Sequence, residues 1–476
     1  MTVSGPAMAV DLRDTNIDPS KPEYRKMLEN LQANILKPHG RKESDHLVIR
    51  FTAEPQAVRT WIREFARREV TSARKQLDET GTYHDHGTRG GLVASFALSA
   101  KGYGALGLLA EDFDGSGQSF LNGMKLRAFS LIARNRDPPP NEWEAPYQGD
   151  IHALVSLSHD SADELAAKTR EVSTGLRDIA EILTVERGTV LRNARGDPIE
   201  HFGYVDSRSQ PLFLQADLDA EKAAGVDAWD PSAPLGLVLV DDPFTSEEDS
   251  FGSYLVFRKL QQDVANFNAG VKDLSTRLAA DEALTGALVV GRFKDGTPVT
   301  LRPFDGIGPV NNFEYLARDP VGNRCPFHAH IRKANQRGAN PFLNREQERS
   351  HRVVRRGVPY GVRPAPPGET SASASASGEV GLLFHAFQSD IARQFEFIQR
   401  TWVDNPNFPE FLLFPGLNTG DDALIGQHPR AAQKWPRTWG RSGRFLDRLR
   451  FNFGDYVRLR GGEYFFAPSL SFLKNL

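Results

Sequence analysis

Hydrophobic and polar positions along this chain switch repeatedly between period two and a period of three to four, and the switches mark its elements. Alternating apolar runs predict strands at Leu47–Phe51, Leu92–Ser99 and His152–His159. Between the first two, Val58, Ile62, Ala66, Val70, Ala73 and Leu77 recur at spacings of three and four, which predicts one helix from Pro55 to Glu79. Helical material around Tyr103–Leu109 precedes a proline-rich loop, Asp137–Trp143. A helix is expected from Ser161 to about Leu183, with Ser161 supplying a cap, and a short strand GTVLRN follows it. Strand, helix, strand, then strand, helix, strand is the split βαβ order of a ferredoxin-like unit.

The second half carries parts of the same pattern. Ser253–Leu260 and Glu379–Gln388 read as strong strands, and Val264–Leu278 reads as a helix. After the second strand, Ile391, Phe395, Ile398 and Trp402 fall on one helical face, with Ser389 as the expected N-cap. The chain therefore reads as α+β in two related parts, residues 1–215 and 216–476. Residues 1–30 are polar and turn-rich and read as an arm, and Pro364–Glu379 (PAPPGETSASASASGE) reads as a low-complexity surface loop.

Composition narrows the function classes. The 476 residues include 58 Lys+Arg against 61 Asp+Glu, a formal net charge of -3, which gives no reason to expect a nucleic-acid partner. The single cysteine, Cys325, excludes an intrachain disulfide, a CxxC redox pair and a cysteine-rich zinc site. No run of about 18 apolar residues is present to span a membrane, and no leader pattern is visible, so cytoplasmic residence is the expectation. Phenylalanine is frequent, 30 residues against 10 Tyr and 6 Trp, which suits either an ordinary core or a large apolar ligand.

Several segments have chemical potential. His84/His86 in YHDHG and His328/His330 in CPFHAHIRKANQR are HxH pairs, able to chelate zinc from a strand but lacking a third ligand motif; a polar turn is the other reading of the first pair. In the second pair, His330 beside Arg332 has the residue types that hold a haem iron and its propionates, with a buried structural histidine as the competing reading. HRVVRRGVPYG places Arg352, Arg355 and Arg356 within five residues, either as a solvated turn or with one guanidinium in a pocket. HFGYVDSRSQPLF sets Asp206 among Phe202, Tyr204 and Phe213, as a turn former or as an acid/base group. GYGALG at Gly102–Gly107 matches GxGxxG, but the helix after it is short for a dinucleotide fold; GxxxxGK[ST] and GxSxG are absent.

In chain order, LQANILKPHGR, FGYVDSRSQP, CPFHAHIRKANQR, VVRRGVPYG, GLLFHAFQSDIARQFEFIQRTW and GGEYFFAPSLSFL together resemble the dye-decolorising peroxidases, a haem peroxidase family, over most of the chain. The resemblance implies two ferredoxin-like modules in a dimeric α+β-barrel-like architecture, with haem b, one per chain, between helices and sheet. It implies His330 as the axial iron ligand, Asp206 as the distal acid/base and Arg355 as the distal cation. Leu382 and Phe384 match residues lining the distal haem face, and Arg332 is the expected propionate partner. Asp390 either accepts the proximal imidazole N–H or satisfies helix N-terminal donors. This chain departs from the family at Ser207, where glycine is usual after the aspartate, and at Gln336, where proline is usual; the first bears on backbone geometry, the second on a turn.

The activity so implied is reduction of hydrogen peroxide and one-electron oxidation of dyes, phenols or other small aromatic donors through a ferryl species. Bulky donors would need a surface Tyr or Trp relay, and Tyr360 and Trp402 lie nearest the pocket motifs in sequence. Glu247, Glu248 and Asp249 are either a solvated acidic loop or a manganese site. Two other classes stay open from the residues: a non-enzymatic haem-binding or haem-delivery protein, which would not need Asp206 or Arg355, and a non-haem metal protein using His84, His86 and His328.

Overall fold

The computed structural model describes residues 10–476 apart from 88–89, 109–112, 114–116, 130–136, 341, 363–378, 410–417, 428–430 and 442–447. The low-complexity stretch therefore lies almost wholly outside the described residues. Eight strands carry the fold: β1 (Glu43–Phe51), β2 (Val93–Leu98), β3 (Ala153–His159), β4 (Ala180–Thr189), β5 (Phe251–Gln262), β6 (Val358–Tyr360), β7 (Gly381–Gln388) and β8 (Val457–Ala467). All pairings among them are antiparallel. The first four lie in the order β4-β1-β3-β2, the last four in the order β6-β7-β5-β8. Each is the ferredoxin-like arrangement, the first and third strands of the set at the centre.

The two four-stranded sheets join edge to edge into a closed ring. The joints are thin: Phe466 pairs with Leu98 between β8 and β2, and Tyr360 pairs with Gly188 between β6 and β4. Closure leaves none of the eight strands with an unpaired edge. Inside the ring the alternation of side chains places a polar cluster. His46 of β1 and His385 of β7 meet edge to face at 4.5 Å. Lys259 of β5 bridges Glu186 of β4 at 3.1 Å and Glu144 at 2.8 Å, tying the two halves together.

Helices cover the outside. The stripe expected to make one helix makes two, α1 (Pro55–Arg68) and α2 (Ala73–His86). Between them Val70 bridges to Ala94 of β2, and Ser72 restarts the helix by accepting the Lys75 N–H at 3.2 Å. Pairing with a strand edge here outweighs helical periodicity. The helix beginning at Ser161, α3 (Ala162–Leu176), is capped as expected, with the Ser161 hydroxyl accepting from the Glu164 N–H. It ends earlier than its periodicity suggests, because Ile182–Val185 belong to β4. Helices α4 (Val264–Leu278) and α5 (Glu282–Val290) pack a second apolar core with Phe202, Phe293, Phe313 and Trp435. The segment after Ser389 differs most: Ser389 bonds the Gln394 side chain, and only Phe395–Phe397 is α-helical before a π-helical turn, Ile398–Val403. Gly102–Gly107 is no nucleotide loop. Gly102 sits in a short helix where a Cβ would lie 2.0 Å from the His152 carbonyl.

No helix among the described residues is long and apolar enough to cross a membrane. At the β4–β6 joint, a Cβ on Gly188 would lie 2.5 Å from Val358 Cγ1 and 2.8 Å from Ser44 Oγ. Val358 is β-branched and cannot swing aside freely. Gly188→Ala should therefore lower stability by about 1–3 kcal/mol. Denaturant unfolding reads this, and an unchanged midpoint would show that the joint is slack.

Candidate active site

The outer face of the second sheet forms one wall of a cavity of about 250 Å³, with about 1870 Å³ of atom-free space when the part open to solvent is counted. Leu260 of β5 and Leu382 and Phe384 of β7 supply that wall, one residue out of phase with Lys259 and His385 inside the ring. Val290 of α5, Ile331, Leu424 and Ile425 supply apolar surface from the second core.

His330 opens a short helix, α6 (His330–Ala334), and lines this cavity. Its Nδ1 lies 3.0 Å from Oδ2 of Asp422, whose side chain is fully buried. The other carboxylate oxygen accepts the N–H groups of Leu424 and Ile425 at 2.8 and 2.9 Å. Burial raises the Asp422 carboxyl, but the His330 charge and hydrogen bond and the two amides outweigh it and hold it below the ordinary value. An ionised Asp422 accepts from Nδ1–H, which leaves the lone pair on Nε2.

Asp206 and Arg355 also line the cavity, both about one-third exposed. Arg355 lies on a two-residue strand, Val354–Arg355, paired with β7 at Ala386. Its Nη1 lies 3.4 Å from Asp206 Oδ1, and its Nη2 donates to the Arg208 carbonyl at 2.8 Å. The Gln210 side chain accepts the Arg355 N–H at 3.1 Å. Asp206 Oδ1 also accepts the Ser207 N–H at 2.6 Å, so Oδ2 has no partner among the described residues.

Two further arginines reach the cavity. Arg292 donates to the Gly296 and Val310 carbonyls at 2.7 and 2.8 Å. Arg337 donates to the Asn311 and Phe313 carbonyls, to Ser209 and to the Asn311 side chain. Burial, with the Arg337 charge beside it, pulls Arg292 down to about 9, and burial pulls Arg337 down to about 10. Among the described residues neither has a carboxylate within ion-pair distance. The pair suits an anionic group of a bound ligand.

Comparison with known proteins places the chain in a family. Residues 236–413 match the model of the Dyp-type peroxidase C-terminal region. The multifunctional dye peroxidase DyP2 of Amycolatopsis sp. is 40% identical over 98% of this chain and 100% of its own length. Its solved structure superposes with a TM-score of 0.90. The Anabaena sp. DyP-type peroxidase is 42% identical, with a TM-score of 0.89 and 98% of each chain covered. The chain belongs to the DyP-type peroxidase family. It is an enzyme, a peroxidase, and its family is haem-dependent.

In this DyP-type peroxidase the cavity brings together His330, Asp206, Arg355, Leu382 and Phe384. Arg332 is not with them. Its guanidinium turns into the protein, donating to Asp319 Oδ2 at 2.9 Å and the Cys325 carbonyl at 2.7 Å beneath the Tyr315 and Phe327 rings. Two residues along α6 from His330 it faces away from the cavity, while Arg337, beyond the helix end, lines it. Asp390 is not the partner of His330 either; its Oδ1 accepts the Arg393 N–H at 3.0 Å within a turn that precedes the helical residues, and Asp422 holds the imidazole. The signal for Asp422 was the pair of acids in NTGDDALIG, 92 residues from His330 in sequence. Arg337 stood in plain view at the end of CPFHAHIRKANQR.

Ser207 keeps the left-handed backbone that glycine would adopt, at φ 62°. Gln336 closes α6 by donating to the Arg332 and Lys333 carbonyls. Tyr360 and Trp402 are 6% and 2% exposed, so neither is at the surface. His328 is buried against Trp435, away from the cavity lining, and His86 is an exposed residue ending α2; the His84 side chain lies outside the described residues. Asp249 accepts the Val10 N–H, and Glu247 and Glu248 are exposed. No cluster of three or more His, Cys, Asp or Glu suited to a metal is found among the described residues.

Behind Gln399 and Gln427 of the cavity wall lies Asp404, whose carboxyl burial pushes up to about 7 despite hydrogen bonds from both. Because the folded value exceeds the unfolded one, the native state binds the extra proton. Its stabilising contribution is present below about pH 4 and lost as pH rises through 7. Asp404→Asn should therefore gain stability relative to the parent between pH 5 and pH 8, by more than about 1 kcal/mol. Urea unfolding at the two pH values tests this, and a pH-independent difference would refute the buried titration.

Proposed function

We propose that the cavity holds one haem b, with its iron on Nε2 of His330, its propionates at Arg337 and Arg292, and Leu382 and Phe384 against the opposite face. The donor set supports this reading. An imidazole whose Nδ1 is pinned by a buried carboxylate offers Nε2 as a strong iron ligand, and two buried guanidiniums lacking carboxylates suit an anionic ligand edge. When bound, haem supplies the redox chemistry by which hydrogen peroxide is reduced and aromatic donors are oxidised one electron at a time.

The chain's own residues manage protons and charge. Asp206 enters as carboxylate, takes a proton from hydrogen peroxide on Oδ2, and returns it to the oxygen that leaves as water. The Ser207 amide and Arg355 fix Oδ1, so the oxygen that moves the proton is aimed by its neighbour. Arg355, held by the Arg208 carbonyl, presents a fixed positive charge to the negative charge that builds on the peroxide oxygens. Asp422 keeps the Nδ1 proton of His330 in place throughout. The observation that carries the proposal is that Asp206, Arg355 and His330 line one cavity, with Asp422 buried behind His330. Dyes and small phenolic or other aromatic compounds are the proposed reductants, in line with the dye activity in the name of the Amycolatopsis relative.

Asp206→Asn and Arg355→Leu should load haem normally and react with hydrogen peroxide about 10²–10⁴ times more slowly. Stopped-flow absorption after one equivalent of peroxide measures this; parental rates in both variants would remove these roles. His330→Ala should lose the haem absorption band, and Arg337→Ala should weaken haem retention. Full haem content in His330→Ala would move the ligand elsewhere.

A further inference from the structure

His328 and Lys333 stand on either side of His330, and neither lines the cavity. Both are buried, at 1% and 0% exposure. Both reach the same stretch of chain, the one that carries Asp422. The His328 Nδ1 lies 3.2 Å from the Thr419 carbonyl, and the His328 carbonyl accepts the Ala423 N–H at 3.1 Å. Burial holds the His328 ring well below its ordinary range, so it is neutral and donates from Nδ1. The Lys333 ammonium donates to the carbonyls of Asn405 at 2.9 Å, Phe408 at 2.5 Å and Gly420 at 2.8 Å, with Thr419 Oγ1 at 3.5 Å.

Lys333 has no carboxylate within ion-pair distance among the described residues. A buried ammonium is costly unless its donors are all used, and here backbone oxygens of Asn405 and Phe408 on one segment and Gly420 on another use them. Burial pulls Lys333 down to about 7, and the charges of Asp421, Asp422 and Asp404 further off oppose that. The effect is geometric. The side chains of His328 and Lys333, on either side of His330, strap the turn 419–423 at Thr419 and Gly420, and the His328 carbonyl holds it at Ala423. Asp422, bonded to His330, lies between these points.

We propose that His328 and Lys333 are positioning residues that hold the 419–423 turn, and with it the Asp422 carboxylate, against Nδ1 of His330. The proposal rests on the reading of His330 as the iron ligand. A tightly held carboxylate gives the imidazole more anionic character, which favours ferric over ferrous iron. Slackening the straps weakens that donation and raises the reduction potential. Loss of the Lys333 charge by itself acts the other way, because a nearby positive charge favours the reduced iron. The sign of the shift therefore separates positioning from simple electrostatics.

The test is the ferric/ferrous midpoint potential of the haem-loaded protein in four forms: parent, Asp422→Asn, Lys333→Met and His328→Phe. The last keeps an aromatic ring against Trp435 and removes only the Nδ1 donor. Asp422→Asn is expected to raise the potential, and Lys333→Met and His328→Phe to raise it by a smaller amount. If Asp422→Asn raises it while Lys333→Met lowers it, or either strap variant stays at the parental value, the positioning role is overturned and the proximal pair stands. No shift in Asp422→Asn overturns both. If Lys333→Met does not load haem, His328→Phe decides alone: a rise supports the proposal and an unchanged potential overturns it.

Discussion

Closure of two four-stranded sheets into one ring is the constraint on which the rest of this molecule depends. A ferredoxin-like sheet has two edges and two faces. Joining edges through Phe466/Leu98 and Tyr360/Gly188 turns one face of each sheet inward, and strict alternation sends the next residue outward. In β5 and β7 that phase decides everything about the site. Lys259 and His385 point into the ring, while Leu260, Leu382 and Phe384 become a cavity wall. A one-residue slip in either strand would exchange the two sets.

The second recurrent theme is buried charge held by geometry. Asp422 remains ionised without contact with solvent because one imidazole and two amides surround it. Lys333 remains buried because the carbonyls of Asn405, Phe408 and Gly420 take its protons. Arg292 and Arg337 also donate to neighbouring oxygens, with no carboxylate in ion-pair distance within the described residues. Asp422 and Lys333 lie away from the cavity lining, whereas the arginine pair lines it. That contrast is what separates the framework of the site from its binding groups.

The distal side shows how a departure from a family pattern is absorbed. Serine in the left-handed region is strained relative to glycine. Ser207 adopts it nonetheless, and in doing so aims its N–H at Asp206 Oδ1. The backbone geometry that orients the carboxylate is thus retained, with a side chain added at the cavity.

Local pattern and motif by themselves determined a good deal here. Period-two runs marked the strands and Ser161 marked a helix start, and the family resemblance carried by four motifs pointed to His330, Asp206, Arg355 and the Leu382/Phe384 wall, because each of these is a statement about neighbours in sequence. The tertiary structure alone decided the rest. Whether Val70 continues a helix depends on the edge of β2 beside it. Whether Arg332 or Arg337 faces the cavity depends on one turn of a five-residue helix and the reversal after it. That Asp422, and not Asp390, holds His330 depends on a contact across 92 residues. Such choices turn on which surfaces close packing brings together, and a carboxylate carries no sequence mark of the imidazole it will meet.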